Sequence, residues 1–256
     1  MEQSKRRQYL IKALLKENGL QDKETELPGT EEEQKRWLRG LMNVRMPKAV
    51  NAEFEKIQDE YLQEELAKKG IVQVADLQPL QPGLYLWRGD ITHLAVDAIV
   101  NAANSGMLGC FVPCHGCIDN AIHSAAGIQL RQECARIMQK QQEPTGRAKI
   151  TPAYNLPCRY VLHTVGPIVS GRLTEKHCRQ LADCYRSCLE LAADNGVKSI
   201  AFCCISTGEF HFPQEEAAKI AVRTVKDFMH TDQRMERVVF NVFKQEDYDI
   251  YQKLLG

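Results

Sequence analysis

Apolar positions follow a helical period in the first 70 residues of the chain. Three stripes of apolar side chains, separated by Lys and Glu, repeat every three or four positions and predict three helices. They comprise Leu10, Ala13 and Leu14; Trp37, Leu38, Leu41 and Met42; and Phe54, Ile57, Tyr61, Leu62 and Leu66. Thr30 and Glu33 predict a capping box ahead of the second helix, and Gly70 is expected to end the third. A segment this small is not very stable alone, so we expect residues 1–70 to pack on the rest of the chain.

From residue 71 the pattern changes to short β-branched apolar runs that alternate with helical stretches. The runs are IVQVADL, LYLWRGD, DAIVNAA, RYVLHTV, SIAFCCIS and RVVFNVF, and the helical stretches cover about 118–140, 174–195, 213–230 and 246–255. This alternation predicts an α/β fold with a buried, mostly parallel sheet over residues 71–256. Ligands of such folds bind outside the carboxyl ends of the strands. The polar segments RGD, NAAN and ISTGEF lie at such ends and predict a shared crevice.

Charge and hydropathy exclude several classes of partner. The 33 basic and 33 acidic residues give a net charge of +0, which argues against a nucleic-acid or membrane partner. No apolar run is long enough to span a bilayer, and the charged N-terminus lacks the apolar core of a signal peptide. We therefore expect a cytoplasmic protein.

The segment GCFVPCHGCID, residues 109–119, concentrates three of the ten cysteines and one histidine just before a carboxylate. In a cytoplasmic protein such spacing indicates a metal or catalytic site, because thiolate and imidazole are zinc ligands. The segment predicts either an open three-ligand zinc site, a closed four-ligand site or a metal-free thiol cluster. A closed site would use the neighbours Cys114 and His115 together, which is sterically awkward.

Three polar segments at strand ends suggest a nucleotide diphosphate site. Backbone amides of residues 206–210 could cradle a diphosphate ahead of the next helix, with Gly208 permitting close approach, although a purely structural turn has the same pattern. Asp90 could accept hydrogen bonds from an exocyclic amine such as that of adenine, or cap a turn. Asn101 and Asn104 could bind ribose hydroxyls or cap a turn as well.

Four ordered motifs carry a family resemblance. GDITHLAVDAIVNAANSGMLG, IDNAIHSAAG, LHTVGP and ISTGEFHFP resemble the macrodomain family, whose fold binds ADP-ribose. The closest resemblance is to MacroD-type hydrolases of the bacterial zinc-containing branch, which also carry an N-terminal helical extension. It implies a three-layer α/β/α macrodomain with a mixed, mostly parallel sheet over residues 71–256, preceded by a helical extension over residues 1–70.

The resemblance also implies a role for each site residue. Asp90 would hold the adenine amine beside the Ile91 backbone, and Asn104 would contact the distal ribose. The diphosphate would be wrapped by Ser206, Thr207, Gly208 and Glu209, with Phe210 against the distal ribose. Asp119 and Asn104 would be the catalytic residues, with Asp119 acting on the distal ribose and its water; its alternative role is a helix N-cap. One zinc ion would be bound by Cys110, His115 and Cys117.

The implied activity is zinc-dependent removal of mono-ADP-ribose from proteins, through hydrolysis of an ester to an acidic side chain. Alternatives are an O-acetyl-ADP-ribose deacetylase and a non-catalytic ADP-ribose reader. The family also suggests a sirtuin-type transferase and a lipoyl-carrier-like protein as partners. A nearby cation would favour ionised Asp119, which could orient a water or act as base while the metal serves as Lewis acid.

Overall fold

The described residues of the N-terminal extension form three helices. A computed structural model describes residues 1–19, 27 and 29–256. The helices are α1 (Gln3–Glu17), α2 (Glu31–Val44) and α3 (Ala52–Lys69). The capping box of Thr30 and Glu33 is confirmed at the start of α2, and Gly70, with φ of +88°, ends α3 as predicted. The apolar stripes meet in one core, to which Ile128 of the sheet domain contributes.

A seven-stranded mixed sheet forms the centre of the remaining chain. The strands of the described residues are β1 (Val72–Gln73), β2 (Pro79–Gln81), β3 (Leu84–Arg88), β4 (Leu94–Ala95), β5 (Ala98–Ala103), β6 (Ala148–Pro152), β7 (Tyr160–Val165), β8 (Ser199–Phe202) and β9 (Arg237–Val242), and β1 and β4 form a separate pair. The order in the sheet is β2-β3-β9-β8-β5-β7-β6. The five inner strands are parallel, and only the edge strands β2 and β6 are antiparallel. The predicted mixed, mostly parallel sheet is thus confirmed.

Helices cover both faces of this sheet. They are α4 (Ile118–Ala126), α5 (Ile128–Met138), α6 (Glu175–Asp194), α7 (Gln214–Thr231) and α8 (Gln245–Leu255). The chain steps from β5 to β7 in one direction and returns from β7 to β8 in the other. Because such crossovers are right-handed, α4 and α5 lie on the face opposite to α6 and α7. This is the predicted three-layer arrangement.

Several predicted boundaries are wrong. The run IVQVADL contributes only the two-residue β1, which pairs with β4, and then a short 3-10 helix at Val74–Asp76. The predicted helix 118–140 is broken at Gly127, where φ is +97°. The predicted strand at SIAFCCIS ends at Phe202, so Cys203 and Cys204 lie beyond it. Strands β2 and β6 are absent from the sequence prediction, because they are short edge strands that contain proline.

The extension packs on the sheet domain through buried amides, as expected. Gln58 on α3 donates from Nε2 to Oε1 of Gln129 at 2.7 Å, and its own Oε1 accepts from the Ile128 N–H at 3.0 Å. Asp59 accepts from the side chains of Gln129 and Asn155, both at 2.7 Å.

Within the described ranges, no helix combines the length and apolar character that a bilayer crossing requires.

Candidate functional site

The predicted site residues lie in loops that follow the carboxyl ends of parallel strands. Strands β3, β5 and β8 are parallel members of the same sheet, so the loops after them leave at the same end. Those loops carry Asp90, Asn104 and Ser206. The carboxyl ends of the strands, where ligands of α/β folds bind, therefore carry all three polar segments.

Asp119 lies in the first turn of α4 with 5% of its surface exposed. Its Oδ1 accepts a hydrogen bond from Nδ2 of Asn101 at 2.8 Å, and its Oδ2 accepts from Nδ2 of Asn104 at 3.4 Å. The alternative role as helix N-cap is wrong, because Cys117 is the N-cap residue and its Sγ accepts from a backbone N–H. Burial raises the pKa of Asp119 to about 6, against the effect of the Asn101 hydrogen bond, so the carboxylate is mainly ionised at neutral pH.

A buried chain of polar side chains holds Asn101 in place. Its Nδ2 lies 2.8 Å from Asp119 and 3.2 Å from Nδ1 of His163, and His163 Nε2 lies 3.0 Å from Oγ1 of Thr151. A carboxylate only accepts, so the Asn101 amide donates one proton to Asp119 and the other to His163. The His163 proton is then on Nε2 and faces Thr151. Asn101 is 0% exposed and its Oδ1 has no partner among the described residues, so its side chain orients Asp119 and is too buried to meet a ribose.

His123 lies one helical turn after Asp119 and packs beneath the start of the loop at Gly109. Its Nε2 is 3.5 Å from Oδ1 of Asp119. A Cβ at Gly109, where φ is +79°, would come within 2.8 Å of the His123 ring, so only glycine fits there. Burial lowers the pKa of His123 well below its ordinary value, which keeps the ring neutral. His123 is therefore a helix residue that supports the loop from below.

His123, Cys134 and His163 form a second cluster of possible metal donors, all within 4.8 Å of one another. His163 Nε2 carries a proton directed at Thr151, because its Nδ1 accepts from Asn101, and so has no lone pair for an ion. Cys134 is buried, and its Sγ lies 3.8 Å from the same His163 Nε2. This cluster is therefore part of the packing under Asp119 and a poor metal site.

The segment of residues 110–117, here called the metal loop, brings three donors together beside Asp119. The ligand atoms of Cys110, His115 and Cys117 lie within 4.8 Å of one another, and the Cys110 Sγ to His115 Nδ1 distance is 3.6 Å. Tetrahedral zinc with ordinary bond lengths separates such atoms by about 3.5 Å. Burial raises the pKa of Cys117 to about 12, so binding a metal ion there would release its proton. The donor set and its spacing fit zinc.

Cys114 points away from the other three donors of the metal loop. Its thiol donates to the carbonyl oxygen of Arg36 on α2 at 3.2 Å. Its φ is +53°, a left-handed conformation that turns the backbone between Pro113 and His115. The arrangement fits a three-ligand site more closely than a four-ligand one.

The loop after β8 has the features of an anion site. In the described part of the chain, the backbone N–H groups of Gly208, Glu209 and Phe210 donate to no protein acceptor. The Ser206 Oγ is buried without a partner among the described residues, and Ser206 has φ of +65°. A Cβ at Gly166 would stand 1.9 Å from that Oγ, so a larger residue at the turn after β7 would displace the Ser206 hydroxyl. Unpaired N–H groups at a turn favour phosphate oxygens.

Glu209 reaches from this loop to the metal loop. One of its carboxylate oxygens lies 3.6 Å from Nε2 of His115, while Nδ1 of the same ring faces Cys110. In metal sites, a carboxylate commonly lies beside the histidine nitrogen that does not bind the metal, and it fixes the orientation of the ring. The side chain of Glu209 thus faces the metal loop, and only its backbone is available to a diphosphate.

Asp90 caps a short 3-10 helix (Ile91–His93) and still faces solvent. Its Oδ1 accepts from the N–H and the hydroxyl of Thr92, at 3.0 and 2.7 Å. Oδ2 lies 3.6 Å from Nε2 of His93, and the side chain is 38% exposed. The cap role is observed, and one carboxylate oxygen remains beside the crevice. Ile91 is buried, so only its backbone can meet a ligand.

Comparisons with known proteins identify the family. The Macro domain family model matches residues 100–221. The protein-ADP-ribose hydrolase of Treponema medium is 58% identical and covers 100% of both chains, and that of Staphylococcus aureus strain MRSA252 is 45% identical over 97% of this chain and 94% of its own. This chain belongs to the macrodomain family. The crystal structure of the Trypanosoma brucei macrodomain in complex with ADP-ribose superposes with a TM-score of 0.68 at 35% identity, over 82% of this chain and 92% of that one.

A cleft of about 650 Å³ separates the extension of this macrodomain protein from its sheet domain. One wall is formed by α2 and α3, and the other includes Asp90, His93 and Ala121. The extension therefore lies beside the Asp90 end of the crevice as well as beside the metal loop.

The sequence prediction misses two side chains near the candidate site. For Asn101 it offers ribose or a turn, but the contact with Asp119 depends on how α4 packs on β5. Phe243 falls within the predicted strand RVVFNVF, but β9 ends at Val242 and leaves the Phe243 ring 79% exposed. Phe243 follows Val242, whose carbonyl oxygen accepts a hydrogen bond from the Gly89 N–H at 3.0 Å. Because Asp90 is the residue after Gly89, Phe243 lies near Asp90. The sequence feature that could have indicated Phe243 is an aromatic residue just after an apolar strand.

Proposed function

We propose that this macrodomain removes mono-ADP-ribose from proteins by zinc-dependent hydrolysis of an ester to an acidic side chain. The observation that carries the proposal is the position of Asp119, a buried carboxylate two residues from a three-donor metal cluster at the crevice. ADP-ribose binding alone requires neither feature. The names of the relatives from Treponema medium and Staphylococcus aureus, both protein-ADP-ribose hydrolases, support the same activity.

The ligand on this proposal runs along the carboxyl edge of the sheet. Asp90 accepts from the adenine amine beside the Ile91 backbone, and the exposed Phe243 ring offers a stacking surface for the base. The diphosphate accepts hydrogen bonds from backbone N–H groups of Ser206, Thr207, Gly208, Glu209 and Phe210. Asn104 and the Phe210 ring contact the distal ribose, whose linkage then lies at Asp119.

The metal would be held by Cys110, His115 and Cys117. Zinc bound in this way supplies Lewis acidity toward an oxygen of the distal ribose or of water. Glu209 keeps the His115 ring in orientation from its outer nitrogen. Cys114 remains outside the ligand set, where α2 holds it.

Asp119 acts on the water or the ribose hydroxyl that faces it. Its ionised carboxylate accepts a proton or a hydrogen bond but cannot donate one. Asn101 and Asn104 each hold one of its oxygens, which fixes the direction of the remaining lone pairs. Such positioning is what a general base needs, because its reach is only about 2.6–3.2 Å.

Incubation with defined substrates tests this function. An aspartate-linked mono-ADP-ribosylated protein should release free ADP-ribose, detected by chromatography with mass detection. A reader would bind the modified protein and release nothing. Hydrolysis of O-acetyl-ADP-ribose with no release from the protein substrate would favour the deacetylase, which attacks a similar ester.

Replacing Asp90 by Ala should weaken ADP-ribose binding more than it slows turnover of bound substrate. A lost hydrogen bond to a charged group costs about 1.5–3 kcal/mol, which corresponds to roughly a tenfold to a hundredfold loss of affinity. Calorimetric titration with ADP-ribose measures the effect. Asp90→Asn keeps one acceptor for the Thr92 cap and should lose affinity too. Asp76→Ala, at another exposed 3-10 turn, is the control, and unchanged affinity in both Asp90 variants would remove Asp90 from the adenine site.

A further inference from the structure

We propose that helix α2 of the extension is a positioning element for the metal loop. Arg39 and Asn43 would hold that loop in the conformation that brings Cys110, His115 and Cys117 together. The inference rests on the proposed metal site, but it assigns a task to the N-terminal extension, which contributes no ligand of its own.

Arg39 fixes the metal loop at several points. Its Nη2 donates to the His115 carbonyl oxygen at 3.2 Å, and its Nε and Nη2 donate to Oδ1 of Asn120 at 3.1 and 2.7 Å. Asn120 in turn donates from Nδ2 to the Val112 carbonyl oxygen at 2.9 Å and from its backbone N–H to the Cys117 Sγ at 3.4 Å. The Arg39 guanidinium on α2 thus contacts the backbone of one ligand residue, His115, directly. It contacts a second, Cys117, through Asn120.

Asn43 holds the most constrained residue of the metal loop. Its Oδ1 accepts from the Cys114 backbone N–H at 2.9 Å, and its Nδ2 donates to the Ser124 hydroxyl on α4 at 2.9 Å. Cys114 has φ of +53°, which is costly for a residue with a side chain and persists only where surrounding contacts enforce it. The Arg36 carbonyl that accepts from the Cys114 thiol adds a third contact from α2.

Arg131 connects the end of α2 to the start of the metal loop. Its Nη1 donates to the carbonyl oxygens of Asn43 and Arg45, both at 2.6 Å, and lies 3.1 Å from that of Met42. Its Nε donates to the Leu108 carbonyl oxygen at 2.6 Å, and its Nη2 to that of Cys110 at 3.3 Å. A buried guanidinium thereby fixes the position of α2 relative to the first ligand.

The metal loop needs this outside support because it contains no helix or strand of its own. Its backbone conformation must be specified by contacts with neighbouring elements, and α2 supplies several of them. Contacts that orient metal ligands from outside the coordination shell typically change metal affinity by about 10–100-fold when lost. We expect a loss of that size when the Arg39 contacts are removed.

Metal competition with full-length protein tests the inference. The variants are Arg39→Ala and Asn43→Ala, and Arg36→Ala is the matched control, because Arg36 touches the loop only through its carbonyl oxygen. Zinc affinity is measured against a chromophoric chelator, and cobalt(II) titration reports thiolate coordination by visible absorption. Arg39→Ala and Asn43→Ala should each lose roughly 10–100-fold in zinc affinity and need more cobalt for the same absorbance, while Arg36→Ala behaves as the wild type. Thermal unfolding of the metal-free proteins identifies a variant that fails to fold, in which case the other variant decides.

The outcomes separate this inference from the proposed function. A wild type that binds zinc, with affinity unchanged in the folded Arg39 and Asn43 variants, overturns the role of α2 alone. An equal loss in Arg36→Ala overturns it too, because the effect would then not depend on the named contacts. A wild type that binds no zinc overturns both the metal site and this inference.

Discussion

Replacing Asp119 by Ala should lower the rate of ADP-ribose release by at least about 10²–10⁴-fold, the usual range for general-base assistance. The zinc content should stay near one ion per chain, because Asp119 is outside the three-donor cluster. The reason for the large effect is positional, since Asn101 and Asn104 fix the two carboxylate oxygens in a buried corner. Single-turnover release from an ADP-ribosylated protein, with metal analysis of the same sample, measures both quantities.

Asp119→Asn refines this test, because it keeps the size of the side chain but cannot take up a proton. It should be nearly as slow as Asp119→Ala. Asp227→Ala, an exposed aspartate on α7, is the control and should release ADP-ribose at the wild-type rate. Near-normal turnover in Asp119→Ala, together with loss of turnover on metal removal, would contradict the role given to Asp119.

Replacing Cys117 by Ser should abolish both zinc binding and turnover. Serine can still cap α4 through its hydroxyl, so the helix start is preserved while the thiolate ligand is lost. His115→Ala should behave in the same way, and added ADP-ribose should rescue neither variant. Metal analysis and product release on the purified variants give the two readouts.

Cys114→Ser is the matched control within the same loop. Its hydroxyl can replace the thiol contact with the Arg36 carbonyl, so zinc content and activity should stay largely intact. Loss of zinc in this variant would instead indicate a closed four-ligand site. Stoichiometric zinc in both Cys117→Ser and His115→Ala would show that the ligand assignment is wrong.

The layered fold is predictable from the sequence because its strongest signals are local. Inner parallel strands such as β5 (AIVNAA) and β7 (YVLHTV) are buried on both faces and therefore appear as mainly apolar runs. The edge strand β6 is only partly buried and contains Lys149 and Pro152, so it lacks that signal. The break at Gly127 is not predicted because apolar helical spacing continues on both sides of it.

The site is predictable where its residues are close along the chain. Cys110, His115, Cys117 and Asp119 fall within ten residues, so their spacing alone suggests a metal beside an acid. The support of Asp119 is not predictable, because the register that sets Asn101 opposite His163 comes from the pairing of β5 with β7. The contacts of Arg39 with the metal loop join residues more than 70 positions apart, and no local pattern indicates them.

The most direct test of the proposed reaction compares one protein preparation in three metal states. Release of ADP-ribose from an aspartate-linked, mono-ADP-ribosylated protein is measured for the protein as purified, after chelation and dialysis, and after zinc is restored. The proposal predicts release in the first state, loss of release in the second and recovery in the third, in step with measured zinc content. Undiminished release by protein shown to contain no metal would contradict zinc-dependent hydrolysis.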